Sequence, residues 1–409
     1  MLETIGYVFP NDLHIHWSLM IVLYPYITGL VAGAFVVSSL YHVFNMEALR
    51  PIARFALMAS FAFLLVATWP LLLHLGHPFR GFNVMITPNF TSAMAGFGYF
   101  YGGYMIILLF EVWLVFRRDI VTYAKRTRGL KQTIYKVLAL GVYDISEKAQ
   151  EIDKKVVTFL AAIGIPAAFL LHGYVGFLFG ALKSNPWWST PLMPIIFIFS
   201  AVVSGIAALI VMYQVAMKLK GYVIDRACID TMCGWLWMFL IITASLELLE
   251  LVTLSYEKAE EWEIIGELLF GPLSFSFLGL QMIVGVLIPF ILLMIIVLMK
   301  SNMGDRVANT LSFVASSLLL IQVFSMRWNV VIGGQMISKS LAGLREAYRP
   351  GLFEKEGILT AIGIMLVPFV IIAVAEWLLP MFKVSEEQTR KLSESTAAVP
   401  SYGDSTYSE

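Results

Sequence analysis

Charge is scarce in this sequence. Asp, Glu, Lys and Arg together make up 14% of its 409 residues, against about a quarter in a soluble domain. Hydrophobic residues reach 59% and mean hydropathy is +0.80. That balance excludes an ordinary water-soluble enzyme and reads as an all-α polytopic membrane protein. Cysteine is almost missing: Cys228 and Cys233 are the only two. They are too few for a disulfide framework or a four-thiolate cluster, and read as ordinary thiols. Histidine is sparse as well, with six in all. His74 and His172 are the one plausible outer pair and His42 has no inner partner, so neither haem nor an iron–sulfur cluster is expected in this chain. No phosphate-cradling glycine loop is visible. A formal net charge of zero gives no bias toward nucleic acid. Residues 1–16 hold Glu3, Pro10 and Asp12 but no Lys or Arg, so no cleavable signal peptide is expected.

What the chain has is long apolar runs. A membrane span takes about 20 apolar residues. Nine runs qualify, at 17–44, 52–75, 94–116, 156–181, 191–217, 234–255, 272–299, 307–330 and 358–382, and the total is expected to lie between eight and ten. A short interfacial helix is expected at 264–271. The division that follows is an outer segment 1–16, a first group of spans over 17–181 and a second over 191–332. An outer loop 333–357, an added span 358–382 and a polar flexible tail 383–409 complete it.

Basic residues orient the chain, because Lys and Arg favour the cytoplasmic side. With the N-terminus outside, inner segments hold 20 Lys and Arg and outer segments seven. The expected location is therefore the cytoplasmic (inner) membrane. The loop 331–357 is the one discordant piece, and a further helix there would move the C-terminus. The segment 117–155 carries ten basic residues. It is expected to form a helix on the cytoplasmic surface, facing lipid headgroups or a soluble partner.

Polar residues inside the spans agree in depth. At about 1.5 Å per residue, His172 lies about 24 Å from the inner end of its span, Glu247 about 20 Å, Glu250 about 24 Å and Gln322 about 23 Å. Arg327 lies further along, and Gln281 descends to about 14 Å below its outer end. Glu247 and Glu250 are three apart and share a helix face. Ionisable groups at such depth usually face a bundle interior or a water-filled cavity and mark a functional site. Arg327 is expected either to pair with Glu247 or Glu250 or to snorkel to the outer interface. At the outer ends stand "NDLHIHW", with His14, His16 and Trp17, and "GFGYFYGGY", with Tyr99 and Tyr101. Trp328 follows Arg327. Toward the inner side, Glu111 and His42 mark a possible proton route from the cytoplasm, or are interfacial groups.

Three stretches carry a resemblance. "HIHWSLMIVLYPYITGLVAGAFVVSSL" (14–40), "GFGYFYGGY" and "MRWNVVIGGQ" (326–335) resemble the NrfD/polysulfide-reductase membrane subunits. The likeness covers about 10–382. It is strongest toward the longer members of sulfur-metabolising redox complexes, of the DsrP and Hdr-like menaquinol-oxidising types. The resemblance implies two four-helix bundles, here spans one to four and five to eight, with an extra C-terminal helix. It implies no cofactor held by the chain itself, and menaquinone or menaquinol as bound substrate near the outer face. It further implies a ferredoxin-type iron–sulfur partner on that face and further redox subunits of an anaerobic respiratory complex. On this reading His172, His14 and His16 hold the quinone ring, Glu247 or Glu250 relays protons with Gln281 nearby, and Arg327 orients the site. Tyr99, Tyr101, Trp17 and Trp328 line the entrance. The chain would then act as part of an oxidoreductase rather than alone. A different class stays open: a secondary transporter or proton channel built on Glu247, Glu250 and Arg327.

Overall fold

The structure is a computed structural model that describes residues 14–89, 91–257, 260–341 and 343–382. Residues 1–13 of the expected outer segment and the expected tail 383–409 lie outside the described residues, together with the basic residues Lys258, Lys383, Arg390 and Lys391 counted for orientation. Among the described residues there is no β-strand, and nine helices are long and apolar enough to cross a membrane. This is an all-α, multi-pass membrane protein.

The spans are α1 (Leu19–His42), α2 (Glu47–His74), α3 (Ala93–Arg126), α5 (Glu147–Gly180), α6 (Met193–Lys220) and α7 (Arg226–Tyr256). They continue with α9 (Phe275–Leu298), α10 (Asp305–Met336) and α11 (Ile358–Leu378). Two short helices lie between them, α4 (Leu130–Leu138) and α8 (Glu260–Phe270). The latter overlaps 264–271, where a short helix is expected. Local chemistry sets several ends. Ser18 caps α1 by accepting from Met20 N, and Ser146 caps α5 by accepting from Ala149 N. Gly221 closes α6 at φ +69°, where a Cβ would be strained.

The first four spans pack together, the next four pack together, and α11 lies along α2 and α1. The two bundles meet along α1 and α6. Helix α1 touches α2, α5, α6, α10 and α11. It is apolar all round and its hydrophobic window is 100% buried, as a helix without a polar face should be. Its contact with α6 is as close as two backbones come. A Cβ added to Gly33 would collide with backbone atoms of Ala201 and Gly205, and one added to Gly205 would collide with the backbone of Gly33. Small residues at a crossing are the usual membrane solution, since lipid offers no hydrophobic drive and close packing must supply the attraction.

The end at which α1 starts is called upper here. The lower end carries the ion pairs of Lys and Arg among the described residues. Arg54 pairs with Asp119. Arg117 reaches Asp153 at 2.6 Å and the Asp144 carbonyl at 2.9 Å. Arg226 holds Asp230 at 2.7 Å, and Lys220 pairs with Glu376. The 117–155 segment differs from expectation. Helix α3 runs on to Arg126 and α5 begins at Glu147, leaving only α4 between them. That short helix docks on the foot of α11, with Lys131 3.9 Å from the Trp377 ring centre and the Tyr135 hydroxyl donating to Leu378 O. Part of the basic charge there is thus structural.

The loop after α10 contains no further span among the described residues, so α11 runs from the upper end to the lower. The loop straps across the upper end. Glu356 accepts from Ser18 and contacts His74 Nδ1 at 2.7 Å. Tyr348 accepts from Leu19 N at 3.2 Å. Burial pushes the Glu356 carboxyl up, but the bonds from His74 and Ser18, with Lys355 nearby, outweigh it and leave the pKa below its ordinary value. A depressed carboxylate stabilises the fold above its unfolded pKa and loses that contribution as pH falls. Protection from hydrogen exchange over 345–357, taken relative to the intrinsic rate at each pH, should therefore be high at neutral pH and fall as pH drops below the ordinary carboxylate range, and Glu356→Gln should remove that dependence. Gly205→Leu should cost roughly 1–3 kcal/mol or more by overpacking; an unchanged unfolding temperature in detergent would show that the α1–α6 crossing does not need glycine.

Candidate functional site

The π-helical run Phe275–Leu287 of α9 faces a second π-helical turn, Asn329–Gly333 of α10. A π turn breaks the regular ladder and leaves backbone groups to be satisfied elsewhere, and such turns recur at functional sites. At the second turn the loop between α5 and α6 adds donors. Trp187 Nε1 donates to Asn329 O at 3.2 Å, Trp188 Nε1 to Val330 O at 2.6 Å, and Asn185 Nδ2 to Gly334 O at 2.7 Å. Gly334 is required by this seat, because a Cβ would run into the Trp188 indole.

Around these turns two polar groups assemble. The first surrounds Arg327, which is 0% exposed. Its Nη2 donates to Ser200 Oγ at 2.7 Å and lies 3.1 Å from His172 Nε2. Its guanidinium carbon sits 3.7 Å from the centre of the Phe197 ring. A guanidinium only donates, so His172 accepts through Nε2 and is the neutral tautomer with its proton on Nδ1. The expected ion pair of Arg327 with Glu247 or Glu250 is not made among the described residues. Helix packing brings α5 and α6 to the arginine instead, and a histidine lone pair, a hydroxyl and an aromatic face take the place of the carboxylate. The arginine is enclosed, so it does not snorkel.

The second group is a hydrogen-bonded row. Glu247 accepts from Gln281 Nε2 at 2.9 Å and from Gln322 Nε2 at 3.5 Å. Gln281 Oε1 accepts from Asn329 Nδ2 at 2.7 Å, and Asn329 Oδ1 accepts from Ser276 Oγ at 2.6 Å. Each partner fixes which way the next amide points. Glu250 lies one turn along α7. Its Oε1 is buried with no hydrogen-bond partner, and it shares a cavity of about 30 Å³ with Glu247, Gln281, Asn329 and Trp187. Buried polar atoms are rarely left unpaired, and exceptions call for an explanation.

The remaining expected site residues are more scattered. His14 and His16 are exposed at the upper surface, with His14 Nδ1 3.4 Å from Glu346. Tyr99 is exposed and donates to Met85 O; Tyr101 donates to Leu64 O. Trp17 stacks on Trp188 at 5.2 Å, which joins the first helix start to the tryptophan loop. Trp328 packs against Tyr348 at 5.9 Å. Lower down, Glu111 is 0% exposed with both oxygens unpartnered, while His42 Nδ1 contacts Ser38 O at 3.0 Å. Asn329, Ser276, Ser200, Phe197 and the Trp187–Trp188 pair were not singled out from the sequence. Asn329 follows Trp328 within a quoted motif and carries the same signal as Gln281, an amide in an apolar run. The others look like ordinary span or loop residues until packing is known.

The architecture defines a class: a multi-pass helical membrane protein whose buried carboxylates, amides and arginine converge near the upper end of its second bundle. Comparison with known proteins makes the class specific. Residues 10–339 match the family model described as polysulphide reductase, NrfD, and the chain belongs to that family. It is 28% identical over 389 residues to a selenate reductase subunit of Mesobacillus selenatarsenatis, covering 91% of this chain and 87% of that one. It is 28% identical over 227 residues to a putative dimethyl sulfoxide reductase membrane subunit of Halobacterium salinarum, covering 55% and 49%. It is 23% identical to the Hdr-like menaquinol oxidoreductase integral membrane subunit of Archaeoglobus fulgidus, covering 87% and 83%.

Two substitutions probe the polar groups. Arg327→Ala strands His172 and Ser200 and opens a cavity, so it should destabilise the protein by roughly 2–5 kcal/mol, read as a lower unfolding temperature. Wild-type stability in that variant would mean that the guanidinium is not held as described. Glu247→Gln keeps the shape but turns an acceptor toward the Gln281 and Gln322 amides into a partial donor. A loss of about 1–3 kcal/mol is expected; an unchanged unfolding temperature would show that the row does not depend on the carboxylate.

Proposed function

We propose that this chain is the quinone-interacting membrane subunit of a respiratory oxidoreductase complex, exchanging electrons between menaquinol and an iron–sulfur partner subunit. The observation that carries the reading is the buried Glu247–Gln281–Asn329–Ser276 row with the unpartnered Glu250 oxygen beside it. Family membership supports it, as do relatives named as reductase membrane subunits and, in one case, as a menaquinol oxidoreductase subunit. A quinol gives up two electrons and two protons. The electrons would go to a ferredoxin-type cluster in a partner docked on the upper face, and the protons need a buried acceptor. Glu250 has a free oxygen for that role, while the amides around Glu247 hold its carboxylate in place. Arg327 fixes the site's positive charge, and His172 supports the guanidinium through Nε2. Trp17, with the tryptophan loop, closes the upper end. His14, His16, Tyr99 and Tyr101 would belong to the partner-facing rim. Glu111 and His42 would form the lower proton route. The orientation is an N-terminus outside the cytoplasmic membrane.

The test is a titration of a fluorescent menaquinol analogue against the purified complex. Saturable binding supports the reading, and its absence in wild type would defeat it. Glu250→Gln should slow quinol oxidation by about 10²-fold or more, as loss of a proton acceptor does, while the complex still assembles. Normal turnover would remove Glu250 from the site. A cysteine introduced near 130 should be labelled only from the cytoplasm; labelling from outside would reverse the orientation.

A further inference from the structure

A second and larger cavity lies on the other side of the Ser276–Asn329 bond. Its volume is about 390 Å³, within the range of sites for ligands of one or two rings. Leu280, Ile321 and Ile332 are among its apolar walls, and the Trp328–Tyr348 ring pair stands at its upper side. It opens sideways, since Ile321 is 45% exposed and Phe275 74% exposed on helices that cross the membrane. Arg349, from the strap, stands at the rim. An apolar chamber open to hydrocarbon suits a ligand that arrives through the lipid and leaves a long tail there.

The polar groups in this chamber are selective. The one proton of Ser276 Oγ is already committed, to Asn329 Oδ1 at 2.6 Å with Leu273 O a second acceptor at 3.1 Å. Ser325 Oγ donates to Ser276 O at 2.7 Å. A hydroxyl has one proton and two acceptor positions, so both oxygens are left as acceptors. They match a ligand that brings its own O–H. Behind Ser276 stands Asn329, which also borders the Glu247–Glu250 cavity. The chamber and the carboxylates are separated by that one hydrogen-bonded partition.

We infer that the chamber between α9 and α10 binds the ring of a prenylated hydroquinone, with a ring hydroxyl on Ser276 Oγ and the tail leaving past Ile321. This rests on the reading that the chain handles quinone, and it adds the place in the second bundle and the preference for the reduced ring. An acyl chain of a phospholipid has no O–H for Ser276 and would leave both serine oxygens unused.

A photoreactive azido-naphthoquinone with a prenyl tail tests this on the intact complex, once oxidised and once reduced. The expected result is labelling of peptides from 272–280 and 321–332, stronger in the reduced state. Ile321→Trp places its bulk from the lipid side, where folding tolerates it, and should weaken binding of the reduced probe about tenfold or more. Ser276→Ala should weaken the reduced probe and leave the oxidised one unchanged. Saturable binding with label confined to α1–α5, unaffected by Ile321→Trp, would overturn the site and leave the quinone reading standing. Equal affinity for the two redox states in wild type would overturn the preference for the hydroquinone. Phospholipid retained in the chamber and not displaced by the probe would also overturn the site. No saturable binding anywhere in wild type would remove both.

Discussion

Arg327 brings a positive charge into the membrane interior with no carboxylate in ion-pair range among the described residues, so its stabilisation has to come from the helices packed round it. A charge on an isolated span costs a few kcal/mol or more. Here two hydrogen bonds and the face of Phe197 offset that cost. The partners come from two helices: His172 from α5, Ser200 and Phe197 from α6. The arginine can be seated only when the first bundle's last helix and the second bundle's first helix are both in place. The glycine crossing of α1 and α6 draws those bundles together. Packing at Gly33 and Gly205 and polar satisfaction at Arg327 are therefore parts of one arrangement.

The same logic runs through the two π-helical turns. Irregular backbone survives in a membrane only where protein covers it. At the second turn the indoles of Trp187 and Trp188 and the amide of Asn185 reach in from a loop and add donors to the carbonyls of Asn329, Val330 and Gly334. In return the turns set Asn329 against Gln281 and Ser276. The outcome is a thin polar wall with carboxylates on one side and an apolar, lipid-facing chamber on the other. On the function proposed above, both surroundings are needed close together, because the ring must stay dry while its protons find acceptors.

At the opposite end the charges serve cohesion. Arg54, Arg117 and Lys220 tie helices to one another through Asp119, Asp153 and Glu376, while Arg226 holds Asp230 within α7 and reaches Asp305 of α10 at 3.4 Å. Partly buried pairs of this kind hold more firmly than exposed ones, which contribute little. The upper end is held instead by the strap from 337 to 357, which rests on Ser18, Leu19 and His74. The two ends thus differ in what holds them.

Nine spans were readable along the chain because apolar length is a one-dimensional property: about 20 residues must cross the hydrocarbon, whatever they pack against. The family was readable too, from three short stretches. The depth of His172, Glu247, Gln281 and Arg327 was readable as well, since position along a span is also one-dimensional. Partner choice was not. Depth put Arg327 just above two glutamates, but helix rotation decides which side chain it meets, and rotation is set by packing. Arg327 therefore turned to His172 and Ser200, while the glutamate met glutamines. The π turns, the tryptophan donors and the chamber beside Ser276 also leave no mark in composition or spacing. They exist only where separate segments close on one another, and each depends on backbone groups that a sequence does not distinguish.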